Sequence, residues 1–217
     1  WDRYVEEYAK MTPIHGPFTS GVLNLANSLR PLSSATAILD DGCGTGSLMN
    51  CLIDDHGAEL PSSVRLLASD YSKGMVAYVE KLKNSPDKVS NPLWQRVETH
   101  VLDAQDLSPA IPTASLSHVI SNLVFMGMDD ATKPISAAYN VLEAGGILTF
   151  SLLVNPEWIH AWRYAQHLAP KDKVWNLDTP EVWNSNEAIE KAVRDAGFTS
   201  VEIKDMEIPL KLNKESL

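Results

Sequence analysis

Residues 38–48 read ILDDGCGTGSL: an apolar run, two acids, then three glycines at alternate positions, Gly42, Gly44 and Gly46. Glycine has no Cβ and accepts positive φ, so such a turn lets bare backbone come close to a ligand. Between a short strand and a helix, a glycine-rich turn points to a nucleotide-like cofactor. The spacing narrows the choice. A dinucleotide-binding turn, Gly-x-Gly-x-x-Gly counted from Gly42, would carry its third glycine at position 47, which is Ser47. Asp40 precedes the first glycine by two, where a carboxylate suits a cation or an amino group better than a pyrophosphate. The loop is built for a ligand with positive charge and no phosphates.

Outward from this stretch the chain alternates between strand and helix. TAILDD (36–41) reads as the first strand and SLMNCLIDDHG (47–57) as a helix stopped at Gly57. VRLLASD (64–70), VETHVLDA (97–104) and SLSHVISNLVF (115–125) read as further strands, with a helix at KGMVAYVEKLKN (73–84). ATKPISAAYNVLEAGG (131–146) reads as a helix that tolerates Pro134 early and closes at Gly145. ILTFSLLV (147–154) is apolar almost throughout, as expected of a strand covered on both faces. A helix at SNEAIEKAVRDAGF (185–198) and a strand at VEIKDMEI (201–208) follow. At the start, WDRYVEEY (1–8) places Trp1, Tyr4, Val5 and Tyr8 on one helical face, and Pro13, Gly16 and Pro17 are expected to break the chain before a second helix. The alternation predicts an α/β fold, a doubly wound and mostly parallel sheet with helices on both faces. Ligands in such sheets bind beyond the carboxyl ends of the strands. The loops that matter are therefore 40–46, 70–72, 103–106, 122–129 and 155–160.

Two more of these strands end in an acid. Asp70 is placed to accept from both hydroxyls of a ribose, and Asp103 from an exocyclic adenine amino group while the Ala104 N–H donates to the ring. A lone Asp at a strand end would simply cap the next helix. Three in a row, with the glycine spacing, point to a ligand.

In order along the chain, ILDDGCGTG (38–46), ASDYSKGMV (68–76), VLDAQDL (101–107), SHVISNLVF (117–125) and VLEAGGILTFSLL (141–153) resemble the motifs of the class I S-adenosylmethionine-dependent methyltransferases. The resemblance covers about residues 36–154 and continues into AGFTSVEI (196–203). It implies a Rossmann-like fold and S-adenosyl-L-methionine as cofactor. It also implies that Asp40, Gly42, Cys43, Gly44 and Gly46 face the methionine part and that Asp70 takes the ribose. Tyr71 and Met75 would flank the adenosine, Asp103 and Ala104 would hold the adenine, and Ser121 and Asn122 would line the path to the methyl group. In style the chain resembles fungal enzymes of secondary metabolism. Two departures stand out: Ser117 where an Asp is frequent, and about ten extra residues, DDHGAELPSS (54–63). The family's sheet also ends in two strands, whereas one is readable here. A nicotinamide-dependent oxidoreductase would share the sheet and Asp70, and a non-catalytic cofactor-binding subunit would keep every motif.

A sulfonium is already a strong electrophile, so the enzyme's work is chiefly alignment. A base is needed only where the acceptor must lose a proton. The plant-type O-methyltransferases carry a catalytic His just past the fourth strand, where this chain reads FMGMDD (125–130). NPEW (155–158) is similar to the Asn-Pro-Pro-Tyr box of base-methylating enzymes but follows the fifth strand instead of the fourth. Among the histidines, His160 and His15 are the best placed for catalysis. No metal is expected, since no two histidines share a ligand spacing with a carboxylate; the Asp129–Asp130 pair is the nearest approach to a site. Trp158, Trp162, Trp175 and Trp183 gather after the fifth strand. They either seal the sheet or, with Tyr8 from the N-terminal segment and Phe125 and Met126 past the fourth strand, enclose an apolar acceptor. Small-molecule pockets are mostly apolar and aromatic. The expected acceptor is thus a small hydrophobic natural product, O-methylation ahead of N- or S-methylation.

Composition agrees with a single methyltransferase domain over 1–217, divided into a helical lid (1–33), a cofactor-binding core (36–154), an aromatic substrate segment (155–186) and a C-terminal helix and strand (187–217). With 18 basic against 28 acidic residues, a net charge of −10 argues against nucleic acid and against an anionic membrane surface. No apolar stretch approaches the roughly 20 residues of a membrane span. The two cysteines, Cys43 and Cys51, are too few for a disulfide framework, so a reducing, cytoplasmic setting is expected. The first residue is Trp1 and not Met, which suggests trimmed termini. The oligomeric state is left open.

Overall fold

Five strands carry the site: β1 (Ala37–Asp41), β2 (Arg65–Asp70), β3 (Val97–Val101), β4 (Leu116–Asn122) and β5 (Leu142–Ser151). The computed structural model describes residues 1–10, 12–128, 130, 132–153, 164, 167 and 181–208. All pairings are parallel, in the order β3-β2-β1-β4-β5. The chain winds outward from β1 to β3 and then crosses to β4 on the other side of β1. The switch point therefore lies between the ends of β1 and β4.

Every residue of β1 is buried, as its central place demands. Side chains alternate across the sheet, so Ile38 faces a cluster built from α2 (Thr12–Leu29), α3 (Ser47–His56) and α4 (Lys73–Lys83). Leu39 faces the opposite cluster, closed by α6 (Thr132–Val141). A third cluster, over the ends of β4 and β5, joins Phe125, Trp183 and the inner face of α7 (Asn186–Asp195). The departure at Ser117 has a structural use: its hydroxyl accepts from the N–H groups of Thr36 and Ala37 and ties β4 to the start of β1.

Four details differ from the sequence reading. The predicted break at Pro13, Gly16 and Pro17 does not occur, because α2 runs through all three. Pro13 falls in its first turn, where the missing N–H has no helical partner anyway, and Pro17 removes one further bond. The helix expected to end at Gly145 stops at Val141, and the chain passes straight into β5. Gly145, at φ +77°, serves instead in a bulge between the Leu116↔Leu142 and His118↔Ile147 pairs. Residues 201–208 form no strand; the alternating pattern is present, but no neighbouring strand among the described residues offers a ladder. Finally, a short helix α5 (Pro92–Gln95) was not read from the sequence; Asn91 caps it, and it buries Trp94 completely. The N-terminal helix is α1 (Val5–Lys10).

Candidate active site

The glycine loop leaves β1 with Gly42 at φ +78°, Gly44 at +51° and Gly46 at +85°. A Cβ at Gly42 would run into Val124, and one at Gly44 would stand 3.2 Å from the Tyr8 ring. These positions need glycine both for conformation and for space. The loop is fixed from the neighbouring strand: the N–H groups of Gly42 and Cys43 both donate to the Ser69 carbonyl, and that of Gly44 donates to Asp70 Oδ2 at 2.9 Å.

Asp70 is not the cap of α4. Ser72 fills that role by accepting from Met75 N–H, while Asp70 Oδ1 accepts from Ser72 N–H at 2.8 Å. The carboxylate thus joins two loops at the strand end and retains lone pairs for a ligand. Burial raises its pKa, against those two N–H groups. Asp103 makes a local turn by accepting from Gln105 N–H, and Ala104 is buried beside it. Tyr71 is exposed, and Met75 is buried at the start of α4.

The two acids ending β1 point to opposite faces. Asp40 Oδ2 accepts from Met49 N–H in the first turn of α3. Asp41 Oδ1 accepts from the Ser69 hydroxyl, and its Oδ2 is buried without a partner. Each is 1% exposed. Burial, then Asp41 and Asp70, push Asp40 up to about 8 despite the Met49 N–H. Burial, then Asp70 and Asp103, push Asp41 up to about 7, against the Ser69 hydroxyl. Burial, followed by these acids, also holds the Cys43 thiol well above its ordinary range, so Cys43 is no nucleophile at neutral pH.

Tyr8, Asp40, Gly42, Cys43, Ser47, Leu48 and Asn122 enclose a cavity of about 20 Å³, space for about one water. The Tyr8 ring lies over Gly44, and burial, then Asp70 and Asp40, raise the Tyr8 pKa. The Ser47 hydroxyl is buried here with no partner among the described residues. At the far wall Ser151 Oγ donates to Asn122 Oδ1 at 2.6 Å, and Asn122 Nδ2 donates to Thr19 Oγ1 at 3.2 Å.

The structure therefore brings Asp40, Gly42, Cys43, Gly44, Asp70, Tyr8 and Asn122 together. Ser121 is fully buried and donates to the Asp41 carbonyl, so it braces β1 and does not line the cavity. Phe125 is also fully buried, against Phe150 at 5.3 Å, and belongs to the core; Met126 packs at the edge of the same cluster. Trp183 is core as well, edge-on to Phe150. Trp158, Trp162, Trp175 and His160 lie outside the described residues, as does the side chain of His15 in α2. Ser47, which lines the cavity, was missed as a site residue, and Asp41 was missed as a second buried acid at the end of β1. Ser47 could have been found as the polar residue opening the helix directly after the loop. Asp41 gave no signal beyond a second acid where the run of apolar residues should have continued.

A donor set of buried carboxylates, with glycine backbone and an unpartnered hydroxyl beside it, fits a cationic, amino-acid-bearing nucleoside. This is the architecture of a class I S-adenosylmethionine-dependent methyltransferase. The methyltransferase domain family matches residues 39–150, and the chain belongs to it. Its cofactor is S-adenosyl-L-methionine. The chain is 31% identical to the methyltransferase ucsB of an Acremonium species, over 98% of this chain and 72% of that protein. It is 22% identical to the acetylaranotin bis-thiomethyltransferase of Aspergillus terreus, over 94% and 69%. A methyltransferase solved in complex with the Haloferax volcanii Trm112 methyltransferase activator shares the fold, with a TM-score of 0.67, 21% identity, and coverage of 99% of this chain and 84% of that one. The nicotinamide reading is thereby set aside.

Among the described residues no group of three or more His, Cys, Asp or Glu side chains is arranged to hold a metal ion. Among them, no helix is long and apolar enough to cross a membrane.

Proposed function

We propose that the chain methylates a small, mostly apolar metabolite on oxygen, with sulfur as the next acceptor and nitrogen last. The observation that supports this is the state of Asn122. Its amide oxygen is taken by the Ser151 hydroxyl, and one N–H goes to Thr19. A second N–H is left at the cavity wall. That group offers a hydrogen bond to a lone pair, which suits a hydroxyl, phenolate or thiolate oxygen or sulfur. An attacking amine would need its own N–H accepted.

In this reading Asp70 holds the ribose, and Asp103 and Ala104 the adenine. Asp40, Gly42, Gly44, Gly46 and Ser47 surround the methionine end, with Tyr71 and Met75 beside the adenosine. The bound cofactor supplies an electrophilic methyl group. Asp40 offers an acceptor to its amino group, the glycine loop lets backbone approach it, and Tyr8 excludes water from above. Among the described residues no histidine faces the cavity, so alignment of the acceptor carries the reaction, and any proton it loses leaves before or after transfer. Two of the relatives are fungal, and the name of one specifies methylation of thiols. That supports a natural-product acceptor and keeps sulfur in second place.

The test is incubation with methyl-labelled cofactor and matched phenols, thiols and amines on one apolar scaffold. Label on the phenol, or on the thiol at a lower rate, is expected. Label confined to the amine would overturn the order. Label only on protein or tRNA would overturn the small-molecule acceptor.

A further inference from the structure

We propose that Asp41 is a specificity-determining residue for the charge of the cofactor, favouring the sulfonium of S-adenosylmethionine over the uncharged thioether of S-adenosylhomocysteine. The proposal rests on the cofactor site described above and extends it to a residue facing away from the glycine loop. Methyl transfer returns the C–S bonding pair to sulfur, so substrate and product cofactors differ by one positive charge in otherwise identical frames.

The geometry that carries this is a buried acid with an unused oxygen. Asp41 is 1% exposed, Ser69 satisfies Oδ1, and Oδ2 receives nothing. On β4, Ser121, next in the register after the Asp40↔Ile120 pair, spends its hydroxyl on the Asp41 carbonyl and not on the carboxyl. The charges acting on Asp41 come from Asp70 at the end of β2 and Asp103 after β3, while Asp40, on the opposite face of its own strand, and the Cys43 thiol in the loop are within electrostatic reach. All are acids. Repulsion among them, added to burial, makes the proton on Asp41 easy to keep near neutrality and easy to release once a cation arrives. No contact with the sulfonium is required, because unit charges several ångströms apart in a poorly screened interior still interact by more than thermal energy. A purely structural Asp41, serving only Ser69, would read neither charge.

The experiment is calorimetric titration of both cofactor forms between pH 5.5 and 8.5, on the full chain and on Asp41→Asn. The two ligands share their amino and carboxylate groups, so the ratio of their dissociation constants isolates the methyl-bearing charge. In the wild-type chain that ratio should move toward S-adenosylmethionine as pH rises through about 7, by about tenfold for each unit by which the cation lowers the carboxyl pKa. Repeating the titration in two buffers of different ionisation enthalpy should show more protons released by S-adenosylmethionine than by S-adenosylhomocysteine. Asp41→Asn should lose about tenfold of the preference, chiefly through weaker S-adenosylmethionine binding, and flatten its pH dependence. A pH-independent ratio in the wild-type chain, or an unchanged ratio in Asp41→Asn, overturns the proposal. If the variant does not fold, equal proton release by the two ligands in the wild-type chain overturns it alone. Absence of binding by either ligand to the wild-type chain would remove the cofactor site itself, and the proposal with it.

Discussion

Asp70 accepts Gly44 N–H on one oxygen and Ser72 N–H on the other, so the glycine loop and the turn after β2 are held by one side chain. Asp70→Ala should therefore weaken the cofactor twice over, through the ribose and through a loosened loop. With hydrogen bonds to a charged group worth roughly 1.5–3 kcal/mol each, affinity should fall about tenfold to several hundredfold. Global stability should change less, with a melting midpoint a few degrees lower at most. Titration calorimetry and a thermal melt on one preparation check both; unchanged affinity in the folded variant would remove the ribose assignment. Gly44→Val attacks the same loop sterically. A β-branched residue at φ +51° is strained, and its Cβ starts 3.2 Å from Tyr8. Cofactor binding should be lost in whatever fraction folds. Normal binding by a folded Gly44→Val would mean that the loop faces elsewhere.

At the scale of elements, the residues leading into α1 are tied to the start of α4, and α1 itself meets the glycine loop through Tyr8. Asp2 accepts from Ser72 Oγ and Gly74 N–H at the start of α4, and Trp1 stands edge-on to Tyr8 at 5.6 Å. Tyr8 in turn covers Gly44, and the cavity left beneath it is far too small for a methionine group. With the methionine end seated at this loop as proposed, admission of the cofactor requires α1 to shift. Asp2→Ala should raise the cofactor dissociation rate severalfold and expose residues 1–10 to limited proteolysis; identical rates would show that α1 is not the barrier. Trp183→Ala makes the opposite cut. Buried against Phe150, it should cost about 3–5 kcal/mol of stability and leave cofactor affinity near normal.

The same elements mark how far the sequence could be read. Strands β1, β2 and β4 and helices α3, α4 and α7 were legible because apolar period, caps and glycine stops agreed locally. Gly145 misled because a positive-φ glycine closes a helix or opens a bulge equally well, and only strand pairing decides. Residues 201–208 misled because alternation marks a strand's faces and says nothing of its neighbour. That the loop, Asp40 and Asp70 come together at the strand ends was readable from spacing. The faces taken by Asp41 and Ser121 were not, since they depend on the register of β1 between β2 and β4, and Phe125 turns into the core in a single 3-10 turn past β4.

For the whole molecule, burying two acids at the centre of the sheet sets how stability responds to pH. An unfolded chain gives up carboxyl protons near pH 4, whereas folded Asp40 and Asp41 keep theirs to about 8 and about 7. Between those limits the folded state binds more protons, so their contribution is fully present below about pH 4 and is lost as pH rises toward 8. Other groups act in the opposite sense but lower down. Asp2, Asp87 and Asp130, whose pKa values are lowered by side-chain hydrogen bonds from Ser72, Ser85 and Thr132, gain stability with pH only across the acid range. His118, kept neutral by burial, adds stability as pH rises, an effect complete above about 6.5. The window from about pH 6.5 to 8 thus isolates the buried acids. There the melting midpoint of the cofactor-free protein should fall as pH rises. Saturating S-adenosylmethionine, adding about 2.7 kcal/mol at one hundred times its dissociation constant, should raise the midpoint most at the alkaline end, where its charge meets ionised carboxylates. The slope should then flatten or reverse. Thermal melts at four or five pH values, with and without cofactor, measure this directly; a cofactor-free midpoint that holds steady or climbs across the window would show that Asp40 and Asp41 are already ionised without a ligand.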